Sequence, residues 1–189
     1  MHGGAFLPVP VLVRDWQPDF PPGDLRGVSL HWTAGDYTTV YPAYHFCVSS
    51  GPDQPLVHAA HDLRANMRDL RGGGAENYAA HTAGRNSFCI GLAICAMQGA
   101  TPQDFGRYPL TEALIDGMCR VAAKLIAFYG IPLRAVRTHA EAALEDGYFG
   151  AAPDQRWDIA RLAPSSAALV PAEARAAGDE LRSRIAVVS

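Results

Sequence analysis

Two short stretches far apart in the chain each deliver a histidine at the end of a β-type run, and they constrain the fold more than any other feature. The first is Val28-Ser29-Leu30-His31, and the second is Leu133 to Thr138 followed by His139. Apolar runs of this length fit buried strands, and a residue at a strand's end sits on a rigid element at the edge of a sheet. Two such histidines and one carboxylate make a three-ligand metal site with one position open, as a catalytic zinc requires. Asp158, in Arg156-Trp157-Asp158, is the carboxylate placed for this. On the residues alone, Glu145, Asp146 and Asp154 are its rivals. The chain has seven histidines, and a single histidine marks no site. His31 and His139 stand out because of their neighbours.

The rest of the pattern reads as an α/β chain. Gly27 to Trp32 is expected as a central strand. Tyr44 to Ser49 and Pro55 to Ala59 are expected as a hairpin turning at Ser50-Gly51-Pro52-Asp53. Leu63 to Leu70 reads as a short helix or irregular chain, and Arg71-Gly-Gly-Gly74 as a flexible break. Phe88 to Met97 is a second central strand. Its Ile90, Leu92 and Ile94 face one way, and its small residues Cys89, Gly91, Ala93 and Cys95 face the other, where something can pack close. Thr111 caps a helix running to Tyr129, which Gly130 and Pro132 stop. Leu133 to Thr138 is predicted as a strand, Asp158 to Leu162 as the start of a short helix, and Pro171 to Ile185 as a C-terminal helix. Strands and helices in this mixed order predict one domain with a central mixed sheet flanked by helices. Its parts would be an N-terminal extension (1–26), a catalytic domain (27–165) and a C-terminal helical segment (166–189).

Six motifs, in order, carry a resemblance. His31-Trp-Thr33-Ala34 resembles a first-ligand motif, His-x-Thr/Ser-Ala, and Ala43-Tyr44-His45-Phe46 resembles a Gly-Tyr-His-Phe strand. Ala80-His81-Thr-Ala-Gly84-Arg-Asn86 resembles a His-x-x-Gly-x-Asn loop. Cys89-Ile90-Gly91-Leu92 resembles a Ser-Ile-Gly-Val/Ile central strand. Thr138-His139-Ala-Glu141 resembles a second-ligand motif, and Arg156-Trp157-Asp158 a Lys-x-Asp/Cys motif ending in the third ligand. Together, from Gly27 to Leu162, they resemble the zinc-dependent N-acetylmuramoyl-L-alanine amidases of the phage-lysozyme and peptidoglycan-recognition-protein superfamily. The departures are a short Gly35–Ala43 connection, a longer one from His139 to Asp158, Arg156 for the family's lysine, and Ala93 for a glutamate found in some branches.

The resemblance implies Zn2+ held by His31, His139 and Asp158, and hydrolysis of the amide between N-acetylmuramic acid and L-alanine. It implies Tyr44, Arg156 and Glu141 as catalytic groups. Tyr44 would donate a hydrogen bond, and Arg156, which keeps its proton, would stabilise an oxyanion by its charge. Glu141 would orient a ligand imidazole or move protons. His81, Thr33 and Asn86 would face the substrate, and His45, which alternates with Tyr44 along the strand, would be structural. The alternatives are a non-catalytic peptidoglycan-binding module and a zinc hydrolase of another amide.

The resemblance implies peptidoglycan or a muropeptide as the partner, and composition is compatible with that without selecting it. The net charge is −3 and no basic run occurs, so nucleic acid is not expected. No apolar stretch approaches the roughly 20 residues of a membrane-spanning helix. The apolar N-terminus has no basic leader and is interrupted by Pro8 and Pro10, so it reads as no signal peptide. The expectation is a chain made in the cytoplasm that acts on the wall after release or export, or on muropeptides in the cytoplasm. Cys47, Cys89, Cys95 and Cys119 include no Cys-x-x-Cys pair and are expected as free thiols. Nothing in the sequence speaks to oligomeric state.

Overall fold

Six strands form one mixed sheet in the computed structural model, which describes residues 10–17, 20–71 and 77–189. They are β1 (Val11–Leu12), β2 (Gly27–Trp32), β3 (Phe46–Ser49), β4 (Leu56–Ala59), β5 (Cys89–Ile94) and β6 (Val136–Thr138), in the spatial order β1-β4-β3-β5-β2-β6. Neighbours are parallel from β3 through β5 and β2 to β6, and antiparallel at the β1-β4-β3 end. Three helices accompany the sheet: α1 (Glu112–Tyr129), α2 (His139–Asp146) and α3 (Pro171–Val188). The α/β arrangement expected from the sequence is the one observed.

The two faces of the sheet differ because strand residues alternate. Val28, Leu30, Trp32, Phe46, Val48, Ile90, Leu92 and Ile94 share one face and are buried in the main core with Leu114, Ile115, Met118, Val121 and Leu125 of α1. Gly117 of α1 lets the helix close on the sheet, since a Cβ there would lie 3.1 Å from Val48. Thr111 accepts from the Leu114 N–H, and Gly130 ends the helix at φ 65°, the left-handed cap that glycine adopts without strain. The opposite face carries Ser29, His31, His45, Cys47, Gly91 and Ala93, all polar or small, and the candidate site is built there.

The flanking segments belong to this core. Val13, Trp16, Phe20 and Leu25, ahead of β2, are buried in it, as are Leu181 and Ile185 of α3. The four cysteines are free thiols. No helix among the described residues is long and apolar enough to cross a membrane.

Several expectations need correction. Leu133–Ala135 is a 3-10 turn, closed by the Ala135 N–H bonded to the Pro132 carbonyl, so only Val136–Thr138 is strand. His139 opens helix α2 directly. Asp158 starts no helix, because Ile159 sits at φ 58° and breaks the right-handed path. Leu63–Asn66 is a 3-10 turn. Gly72 to Gly74 of the expected break, and residues 1–9 of the N-terminus, lie outside the described residues.

Candidate metal centre

Register brings the two histidines together. In the parallel pair β2–β6, Leu30 lies opposite Thr138, so the next residues, His31 and His139, emerge side by side. Their ring centroids are 4.7 Å apart. Asp158 reaches them because the Ala140 N–H, in the first turn of α2, bonds the Asp158 carbonyl at 3.0 Å. The Ile159 side chain is fully buried, which holds the turn in a backbone conformation that β-branched residues rarely adopt.

His31 Nδ1, His139 Nδ1 and Asp158 Oδ2 converge. Asp158 Oδ2 is 3.2 Å from His139 Nδ1 and 3.5 Å from His31 Nδ1. The candidate ligand atoms of the three residues lie within 4.8 Å of one another. Burial lowers the pKa of His31 to about 4, against the pull of Asp158, so His31 is neutral at pH 7. Burial pushes the Asp158 carboxyl up, but the contacts with His139 and His31 outweigh it, and the net shift is down. The observation that tests the fit of a metal is His31 Nδ1. It is buried and has no hydrogen-bond partner, and it faces a second imidazole nitrogen and a carboxylate. An unpaired buried polar atom is costly, and a cation among these three donors would satisfy it. Two imidazoles and one carboxylate suit zinc and leave an open position.

The remaining site residues take different places. Tyr44 packs on His31 with ring centroids 5.1 Å apart, and its hydroxyl donates to the Trp32 carbonyl at 3.1 Å. Burial raises its pKa, so it stays a protonated donor. Arg156 is exposed, its Nη1 donating to the Pro153 and Gln155 carbonyls. It borders two pockets, a larger lobe of about 470 Å³ beside His81, Asn86, His139 and Tyr148 and a smaller lobe of about 370 Å³ beside Trp32, Thr33 and Tyr44. Both are of ligand-binding size.

Thr33 Oγ1 accepts from the N–H groups of Gly35 and Ala96. Asn86 Oδ1 accepts from the N–H groups of His81 and Thr82. His81 is buried, with Nδ1 against Thr82 Oγ1 and Nε2 against the Cys89 carbonyl. It stands on Gly91, where a Cβ would come within 2.6 Å of the imidazole. The small-residue face of β5 therefore accommodates this ring. His45 accepts from the Gly91 N–H through Nδ1, a structural place.

Glu141 does not face the cluster. Its Oε2 accepts from the Thr138 N–H while Thr138 Oγ1 accepts from the Glu141 N–H, forming a capping box at the start of α2. Both its oxygens also bond Arg182 of α3. The Thr-x-x-Glu spacing is itself a capping signal, legible in the sequence. Of the rival carboxylates, Glu145 and Asp146 pair with Arg85, and Asp154 lines the larger lobe without joining the cluster.

Two residues had no signal in the sequence. Tyr148 lines the larger lobe, and its hydroxyl is buried without a hydrogen-bond partner. Thr82 lies behind His31, with Oγ1 3.2 Å from Nε2.

No family model matches the sequence, and no curated protein matches it either. Solved structures similar to it include two at low identity. One is the complex of the N-acetylmuramyl-L-alanine amidase AmiD from E. coli with the substrate anhydro-N-acetylmuramic acid-L-Ala-D-gamma-Glu-L-Lys. It is 19% identical, with a TM-score of 0.41 over 67% of this chain and 52% of that one, so this chain spans about half the length of AmiD. The other is a mutant structure of PlyL, 16% identical, with a TM-score of 0.41 over 87% of this chain and 86% of that one. The likeness in both cases is one of fold.

Proposed function

We propose that this protein is a zinc-dependent amidase that hydrolyses the bond between N-acetylmuramic acid and L-alanine in peptidoglycan or its fragments. The observation that carries the reading is the unpaired Nδ1 of His31, aimed at His139 and Asp158 beside the larger lobe. The six ordered motifs supply the choice of bond.

His31, His139 and Asp158 would hold the ion. When bound, zinc supplies Lewis acidity and lowers the pKa of water to about 7. The chain's own groups then position the substrate and balance charge. Tyr44 is a protonated donor next to His31, and it would exchange its bond to the Trp32 carbonyl for one to the scissile carbonyl oxygen. Arg156, between the two lobes, would place positive charge near that oxygen as it becomes an oxyanion. The Tyr148 hydroxyl has no partner of its own and would donate to substrate in the larger lobe, near His81 and Asn86. Thr33 shapes the smaller lobe through its backbone contacts. Glu141 would act on His139 through the start of α2.

The test is incubation of the purified protein with bare peptidoglycan, with and without a chelator, scored by newly exposed L-alanine amino groups. Chelator-sensitive release that zinc restores is the expected result. Asp158→Ala is expected to abolish hydrolysis and keep muropeptide binding. Wild-type activity in that variant overturns the ligand assignment. Bound zinc without release points to a binding module or to another amide.

A further inference from the structure

Every proton in the hydrogen-bond chain behind His31 is forced from one end. That chain runs from the Cys89 carbonyl through His81 and Thr82 to His31. His81 Nε2 lies 3.3 Å from the Cys89 carbonyl, which only accepts, so Nε2 carries the proton. His81 is buried, and among the described residues its ring nitrogens meet only the Thr82 hydroxyl and the Cys89 carbonyl, with no carboxylate. A buried imidazolium without a counter-charge is costly, so the ring is neutral and Nδ1 is a bare acceptor. Its neighbour at 3.0 Å is Thr82 Oγ1, which must donate its single proton there. Thr82 Oγ1 then has only lone pairs for its two other neighbours, Ser29 Oγ at 2.9 Å and His31 Nε2 at 3.2 Å. Both must donate to it.

We propose that Thr82 is a positioning residue that fixes His31 as the Nε2–H tautomer and so presents its Nδ1 lone pair to the metal centre. Ser29, His31, His81 and Thr82 are all buried, so water does not compete. Asn86 holds the turn by accepting from the His81 and Thr82 N–H groups. Asp158 favours the opposite tautomer, but its contact with His31 Nδ1 makes no hydrogen bond. The consequence for affinity rests on the zinc reading above, whereas the tautomer does not.

The experiment has two arms. Long-range proton–nitrogen NMR of the metal-free protein reports which nitrogen of each imidazole is protonated, with the His31 signals assigned by their loss in His31→Gln. Nε2–H on both His31 and His81 is expected, and Nδ1–H on His31 overturns the proposal. Zinc affinity is then measured by chelator competition. Thr82→Val is expected to weaken it about 10- to 100-fold, as loss of a ligand's outer partner does, and Thr82→Ser to restore it. Wild-type affinity in Thr82→Val overturns the proposal. If that variant fails to fold, the wild-type spectrum and Thr82→Ser, expected to keep both tautomer and affinity, still decide it. A wild-type protein that binds no zinc overturns the metal reading, while the spectrum still decides the tautomer.

Discussion

Gly91→Ala is the substitution through which sheet packing and the site are tested together. Gly91 lies within β5, and its backbone is open to alanine, which a strand tolerates at least as well as glycine. The cost is therefore steric. The new Cβ would lie 2.6 Å from Cγ and Cδ2 of His81 and 2.9 Å from its Cβ. His81 is buried, so relief requires the ring to leave Thr82 and the Cys89 carbonyl. Overpacking of this kind costs about 1–3 kcal/mol, and two lost hydrogen bonds about 1 kcal/mol each. The sum, about 3–5 kcal/mol, is a large part of a typical domain's stability and lowers the melting temperature by roughly 10 °C in a chain of this size. Urea unfolding of wild type, Gly91→Ala, His81→Ala and the double variant measures it. With the ring gone, Gly91→Ala is expected to cost almost nothing, which gives a coupling energy of about 2 kcal/mol or more. Additive single effects would refute the reasoning.

Three further outcomes are expected. Burial, with His61 nearby, lowers the pKa of His45 from 6.5 to about 3. Below pH 6.5 the unfolded chain takes this proton and the native chain does not, so stability falls toward pH 3 by at most about 1.4 kcal/mol per pH unit. The wild-type advantage over His45→Gln in urea midpoints should shrink accordingly, and a constant difference counts against it. Arg182→Met removes the partner that Glu141 holds at 2.8 and 3.0 Å and should cost about 3–5 kcal/mol by leaving a buried charge unpaired. Adding Glu141→Gln should recover part of that in thermal unfolding, and a protein that loses hydrolysis but no stability on Glu141→Gln would make Glu141 a proton carrier instead. Tyr148→Phe removes an unpartnered hydroxyl, so stability should hold or rise by about 1 kcal/mol while KM for muropeptide increases several-fold. An unchanged KM removes Tyr148 from the substrate.

The elements that could be read correctly are those with local signals. β2 and β5 are short apolar runs bounded by turns, and α1 has its ridge, its Thr111 cap and its Gly130 stop within one segment. Misread elements were decided by contacts from elsewhere or by backbone states a side chain does not announce. Ile159 is in the left-handed region because its side chain is locked in the core. The Thr138–Glu141 capping box has a local signal in its Thr-x-x-Glu spacing, whereas the Arg182 that takes both Glu141 oxygens comes from α3, far along the chain.

The sequence alone determined an α/β domain, the residue types able to hold a metal, and which face of β5 is small enough to carry a site. These follow from periodicity and composition, which act within a few residues. Tertiary structure alone decided that Leu30 pairs with Thr138 and so sets His31 beside His139. It also decided that Asp158 joins them where Asp154 does not, that Arg182 takes Glu141, and that Thr82 stands behind His31. Register and loop placement depend on how every element fills the shared core, and no local stretch of sequence encodes that sum.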